Sequence, residues 1–237
     1  DPAAAPGAAA RVCRAVDGLP LALELAAARL RAFDPERLAD HLEEDLALLS
    51  AGGAAVEPRH RTLAATIGWS YRLLDEPGRV LLARLSVFRD GFTADAARQV
   101  CADPDPSPGQ AVLPGPTGPT GRPPLGGPAG LPGRRVPAVL AALVDDSLVQ
   151  PYRDAAGGPR YRLLETVRDY ARDRLDERGE TALLRDRHLA YWLGRARAVH
   201  DRAPDDRLDG LRELGPEVGN LRAALGHGFA AGDAARA

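Results

Sequence analysis

SLVQPYRDAAGGPRYRLLE, residues 147–165, is the stretch of this sequence that reads most clearly as β-structure. Two short runs, 148–153 and 160–164, flank an Ala-Ala-Gly-Gly turn, which predicts a hairpin. Just ahead of it, VPAVLAALVDD (136–146) has the length and apolar content of a packed helix. Further back, Asp75-Glu76-Pro77 combines an N-cap, an acid and an early Pro, and so predicts a helix start. That helix is expected to end near Arg89-Asp90-Gly91, and Thr93 is placed to cap a short helix through Cys101. Three short helices followed by a two-stranded hairpin is the order of a winged helix, here from about 76 to 164.

The second and third of these helices are separated by residues 103–135, which are dominated by Pro and Gly. A Gly-X-Y register runs through Gly115, Gly118 and Gly121, breaks at Pro124 and resumes at Gly127, too briefly for a triple helix. With no hydrophobic pattern to support a fold, 103–135 is expected to be a disordered insertion.

On both sides of this module the pattern is helical. CRAVDGLPLALELAAARL (13–30) places Gly18-Leu19-Pro20 at a helix start, where Pro is favourable because its missing N–H would have had no intrahelical partner. Asp34-Pro35-Glu36 opens a second helix, with Leu38, Leu42, Leu46 and Leu49 at helical spacing and Gly52-Gly53 at its end. A third covers roughly 60–74. Beyond Glu165, a stripe of Leu164, Val167, Ala171 and Leu175 is followed by helices at about 181–199, 205–213 and 217–230. The expected fold is mainly α. It divides into a helical region at 1–53, a winged-helix domain at 54–164 and a second helical region at 165–237.

Composition narrows the function. The 237 residues carry a net charge of −2, and all 31 basic residues are Arg. Without Lys, no GxxxxGK[ST] phosphate loop exists within the chain. With no Met, the sequence is expected to be a segment of a longer protein. Cys13 and Cys101 are too few for a disulfide framework and are expected to behave as small buried hydrophobes. No run is long and apolar enough to span a bilayer and no signal peptide is legible, so a cytoplasmic location is expected.

No catalytic constellation emerges. The five histidines have no metal-ligand spacing, no Ser lies in a GxSxG elbow, and neither Cys has the surroundings of a nucleophile. His188, beside Tyr191 and Trp192, reads as a packed or capping residue rather than a ligand. Glu43-Glu44-Asp45 and Asp205-Asp206 read as solvated faces. A DNA-reading helix needs Arg, Asn, Gln, Lys, Ser or Thr on its exposed face. The helix at 136–146 offers Ala, Val, Leu, Pro and two Asp, with Arg134 and Arg135 at its start. A packing role is therefore expected for it.

The order of DGLPLALELAAARL (17–30), residues 59–97, LAALVDDSLVQ (140–150), RYRLLETVRDYARDRL (160–175) and EVGNLRAAL (217–225) resembles the AfsR/SARP- and LuxR-type large bacterial regulators. These are STAND ATPases related to NB-ARC switches. The resemblance covers nearly everything except the insertion. It implies that 1–53 is part of a helical lid and 165–237 is repeat-like, and that Gly18, Leu19 and Pro20 bind nucleotide, with Pro20 against the adenine of ATP or ADP. It also implies that a preceding core of the same chain supplies the phosphate loop and Mg, so the segment alone binds no cofactor. The winged helix would close over the nucleotide, and the helices after it would begin a tetratricopeptide-like sensor for an inducer or protein partner. DNA would be contacted only through another domain, and the parent would be a slow signalling ATPase. NB-ARC proteins carry Met-His-Asp where this sequence has Leu163, Leu164 and Glu165. Leucine cannot donate a hydrogen bond to phosphate, so this switch position departs from the pattern. The alternatives are a winged-helix DNA-binding repressor with a helical dimerisation tail, or a purely helical interaction scaffold.

Overall fold

A computed structural model describes residues 5–16, 18–31, 33–50, 58–104, 130–155, 157–230 and 232. The chain is mainly helical with one small antiparallel hairpin. The elements are α1 (Ala5–Ala15), α2 (Pro20–Arg29), α3 (Pro35–Ser50), α4 (Pro58–Leu73), α5 (Glu76–Leu85), α6 (Ala94–Cys101) and α7 (Val136–Asp145). They continue as β1 (Gln150–Arg153), β2 (Pro159–Arg162), α8 (Glu165–Glu177), α9 (Thr181–His200), α10 (Pro204–Leu214) and α11 (Val218–Ala230).

The helix starts follow the local chemistry. Asp34 Oδ1 accepts the Arg37 N–H at 2.9 Å, and Asp75 Oδ1 accepts that of Gly78 at the same distance. The Thr93 hydroxyl accepts the Ala96 N–H at 3.1 Å. Each side chain satisfies a donor that the helix cannot pair internally. Helix α5 stops at Leu85, earlier than expected. The next N–H groups, those of Ser86, Val87 and Phe88, turn back to carbonyls three residues earlier, tightening the end and burying Phe88. Helix α1 was not anticipated, because no start signal or clear stripe precedes it.

Helices α5, α6 and α7 pack around a core that includes Leu81, Leu85, Val100, Leu140 and Leu143. The hairpin pairs Gln150 with Arg162 and Tyr152 with Arg160. A third edge escaped the sequence reading: Phe92 exchanges both backbone hydrogen bonds with Tyr161, at 2.8 and 2.9 Å. This bridge ties the α5–α6 connection to the wing. Gly91 makes it possible, with φ of +108° and space so tight that a Cβ would fall 2.5 Å from the Tyr152 hydroxyl.

The interior of the expected insertion, 105–129, lies outside the described residues. Its margins are ordered, contrary to expectation. Asp103 and Leu131 exchange main-chain and carboxylate hydrogen bonds at 2.8 and 2.6 Å, and Leu131 is fully buried in the core. A 3₁₀ turn, Gly133–Arg135, then leads into α7. One leucine among prolines and glycines carries too little pattern to reveal this anchor.

Two apolar clusters result. The larger one joins the winged helix to α8, α9 and α11, and includes Leu25 of α2. A smaller one gathers Val12, Val16, Ala22, Leu38, Leu42 and Trp69 from α1 to α4. Leu63 of α4 packs against both. The two cysteines differ: Cys101 is buried as expected, whereas Cys13 lies on the exposed face of α1. Alanine-rich helical surroundings do not by themselves say which face a residue takes. Burial pushes the Cys101 thiol up to about 12.

Candidate functional site

In a winged helix the third helix is the one available to enter a DNA groove, so the surface of α7 decides what this module can touch. Its inward stripe is Val136, Val139, Leu140 and Leu143. Its exposed positions are Pro137, Ala138, Ala141, Ala142 and Asp145. None of these side chains can donate a hydrogen bond to a base edge, and a carboxylate repels phosphate. The exposed Arg134 and Arg135 precede the helix.

The C-terminal end of α7 is engaged within the chain itself. Arg29, the last residue of α2, donates from Nη1 to Asp146 at 2.6 Å and from Nη2 to the Ser70 carbonyl at 3.1 Å. Its side chain is only 9% exposed, against 25% for Asp146, so the pair is well shielded on one side. Nearby, exposed Arg31 and Asp145 stand 3.9 Å apart and contribute little. The helix expected to pack rather than read bases is thus tied to the N-terminal helices.

The start of α2 is open. Gly18 has φ of +64° with nothing near the place of a Cβ, so its conformation, not crowding, calls for glycine. Leu19 is the half-buried N-cap and makes no side-chain cap; Pro20 follows at the first position and is exposed. No side chain caps the first-turn N–H groups, and the exposed proline ring stands beside them.

Leu163, Leu164 and Glu165 sit at the β2–α8 junction. Both leucines are half-buried and pack against the main core, with Leu164 as the N-cap of α8. Glu165 is exposed and pairs with Arg168, whose Nη1 donates to the Arg89 carbonyl at 3.2 Å. This position does not fit a phosphate: two leucines offer no donor and the glutamate is anionic. The two motifs lie on different elements. Helix α2 rests on α1 and α4, α8 rests on α5 and α4, and α4 lies between them.

Sequence reading missed the polar centre that joins the wing to the C-terminal helices. Asn220, the sole asparagine, is completely buried on α11. It accepts the Arg89 N–H at 2.8 Å and donates to the Gly91 carbonyl and to Glu217, both at 2.8 Å. Glu217 in turn holds Arg160 of β2 in a buried ion pair that raises the arginine's pKa, chiefly through that hydrogen bond. Arg160 also donates to the Tyr152 hydroxyl at 2.9 Å, and that hydroxyl donates to the Asp90 carbonyl at 3.0 Å. A single buried Asn among helical residues was the only available signal.

His188 is packed, as expected. It is 3% exposed, meets Phe88 edge-on and accepts the Trp192 indole N–H at 2.9 Å through Nε2. Indole nitrogen only donates, so Nε2 carries no proton and Nδ1 does. Its approach to Asn220 Oδ1, at 3.4 Å, is then not a hydrogen bond. Burial pushes the imidazole down to about 4, so it is neutral near pH 7. Among the described residues, no group of three or more His, Cys, Asp or Glu could hold a metal ion. No helix among them is long and apolar enough to cross a membrane.

Comparison with known proteins agrees with this architecture. Residues 129–176 match the winged helix-turn-helix domain family. The chain is 36% identical over 218 residues to a Mycobacterium tuberculosis protein provisionally named an HTH-type transcriptional regulator, covering 92% of this chain and 22% of that protein. A Mycobacterium bovis protein with the same designation matches equally. An uncharacterised Mycobacterium tuberculosis protein is 39% identical over 172 residues, or 71% of this chain and 37% of that protein. The chain therefore spans about a fifth to a little over a third of the length of these relatives. No solved structure matches it significantly. The chain carries a winged helix-turn-helix domain set between helical regions.

Proposed function

We propose that this chain is the regulatory middle of a transcriptional regulator of the STAND type, switched by ATP and ADP. In this reading the winged helix serves as an internal clamp, and the C-terminal helices carry the sensor. The observation that carries it is the Arg29–Asp146 pair, which joins the end of the helix begun by Pro20 to the end of α7. A groove-reading helix needs a free, donor-bearing face; α7 lacks the donors, and its C-terminal end is tied to α2. The open start of α2 and the resemblance of its Gly-Leu-Pro run support a nucleotide contact there. Bound nucleotide would bias the chain between two arrangements only by binding one more tightly than the other.

The test is calorimetric titration of ADP into the full-length protein, wild type against Pro20→Ala. Alanine preserves the helix and removes the apolar ring. Affinity is expected to fall about 5- to 30-fold, corresponding to roughly 1–2 kcal/mol of lost burial. Equal affinities at equal helicity would return Gly18-Leu19-Pro20 to an ordinary helix start.

The domain match and the relatives' designation favour a second reading, in which the winged helix itself contacts DNA. A gel-shift assay at moderate salt separates the two. The clamp predicts no sequence-specific complex with this chain, whereas a specific shift abolished by changing Arg134 and Arg135 supports a repressor.

A further inference from the structure

A cleft opens between the end of α5 and helices α8, α9 and α11, on a face to which α2 contributes nothing. Arg89, Arg172 and Arg185 line it together with His188 and His227, and no aspartate or glutamate does. Three arginines line it and no carboxylate does, in a chain whose net charge is −2. Arg172 is held by Asp169 at 2.7 Å, which fixes its position. Among the described residues, the side chains of Arg89 and Arg185 have no carboxylate partner, although salt bridges are common elsewhere in the chain. His227 is oriented by Asp186 at 2.7 Å, outside the lining. Val87, Leu175 and Ala223 supply an apolar wall.

From this arrangement we infer that the cleft binds a small oxyanion ligand, a phosphate monoester or a carboxylate, with an apolar body against α8 and α11. Arginine forks suit both oxyanions, because two parallel N–H groups meet two oxygens. The field agrees with the geometry: beside burial, the nearby positive charge of Arg89 helps hold His188 neutral. The cleft is formed jointly by the winged helix and the C-terminal helices, so occupancy would report on how these two parts sit together. The inference does not depend on the nucleotide-switch reading.

The experiment uses the 237-residue chain and three probes: inorganic phosphate, phenyl phosphate and benzoate. Calorimetry and thermal shift are run on wild type and on Arg89→Gln/Arg185→Gln, with circular dichroism to check the fold. Saturable binding of phenyl phosphate or benzoate, weakened tenfold or more in the double variant, is expected. Tighter phenyl phosphate than benzoate identifies a phosphoryl site, and the reverse identifies a carboxylate site. A second variant, Ala223→Leu, keeps every charge and narrows the cleft; it should weaken both aromatic probes more than inorganic phosphate. Absence of saturable binding by all three probes, or binding unchanged in the double variant, overturns the inference.

Discussion

The winged helix meets its two neighbours in different ways. Toward the C-terminal helices the junction is a continuous apolar core with a buried polar centre, Arg160–Glu217–Asn220, set inside it. A second buried arginine, Arg84 on α5, reinforces it by donating to both Glu180 oxygens, at 2.8 and 3.0 Å, and to the Cys101 carbonyl at 2.8 Å. Toward the N-terminal helices there is a separate small core, the shared helix α4, Leu25 and two ion pairs, Arg29–Asp146 exposed on one side and Arg31–Asp145 exposed on both. Separating a buried ion pair leaves an uncompensated charge out of water, so the C-terminal junction breaks only at high cost. A pair with a partly solvated carboxylate can open and be re-solvated. The joint able to move is therefore the N-terminal one, where the clamp reading requires it.

The most severe challenge to this contrast is Glu217→Ala. It leaves the Arg160 guanidinium buried without its carboxylate, and a loss of about 3–5 kcal/mol in unfolding free energy is expected. Denaturant melts measure it. A loss below about 1 kcal/mol would mean that the polar centre does not hold the wing to the C-terminal helices.

The same junction should weaken in acid through His188. Its folded pKa, about 4, lies below its ordinary value of 6.5, so the unfolded chain binds the extra proton first. The stabilising contribution is complete above pH 6.5 and is lost as pH falls from 6.5 to 4, up to about 3 kcal/mol. Comparing the pH dependence of stability in wild type and His188→Gln isolates this slope from that of the carboxylates. An identical slope in both proteins would remove His188 from the account.

The smallest effect belongs to Asp146→Asn. A loss of about 1 kcal/mol or less in global stability is expected, because one partner of the pair is partly solvated. Hydrogen exchange should nevertheless rise in α1–α3 and stay unchanged in α9 and α11. Equal acceleration on both sides would show that the two junctions are not independent.

Local chemistry made much of the architecture legible. Asp34-Pro35, Asp75 and Thr93 announced their helices through hydrogen bonds spanning three residues, and the turn between 153 and 160 announced the hairpin. The weak donor capacity of α7 followed from residue type alone. So did the Gly-Leu-Pro helix start, since a positive φ and a restricted proline ring are properties of single residues. Other features required the folded chain. Leu131 anchors one margin of the Pro/Gly-rich stretch, Phe92 adds an edge to the wing, and Asn220 joins parts of the chain 129 residues apart. Cys13 took the exposed face of its helix where the surrounding alanines left either face open. The sequence by itself determined where elements begin, which faces are apolar and which chemistries are missing, because those depend on neighbours a few bonds away. Only the tertiary structure decided which arginines find carboxylates and which line a cleft. Burial and charge pairing depend on groups brought together through space, and helical spacing carries no record of them.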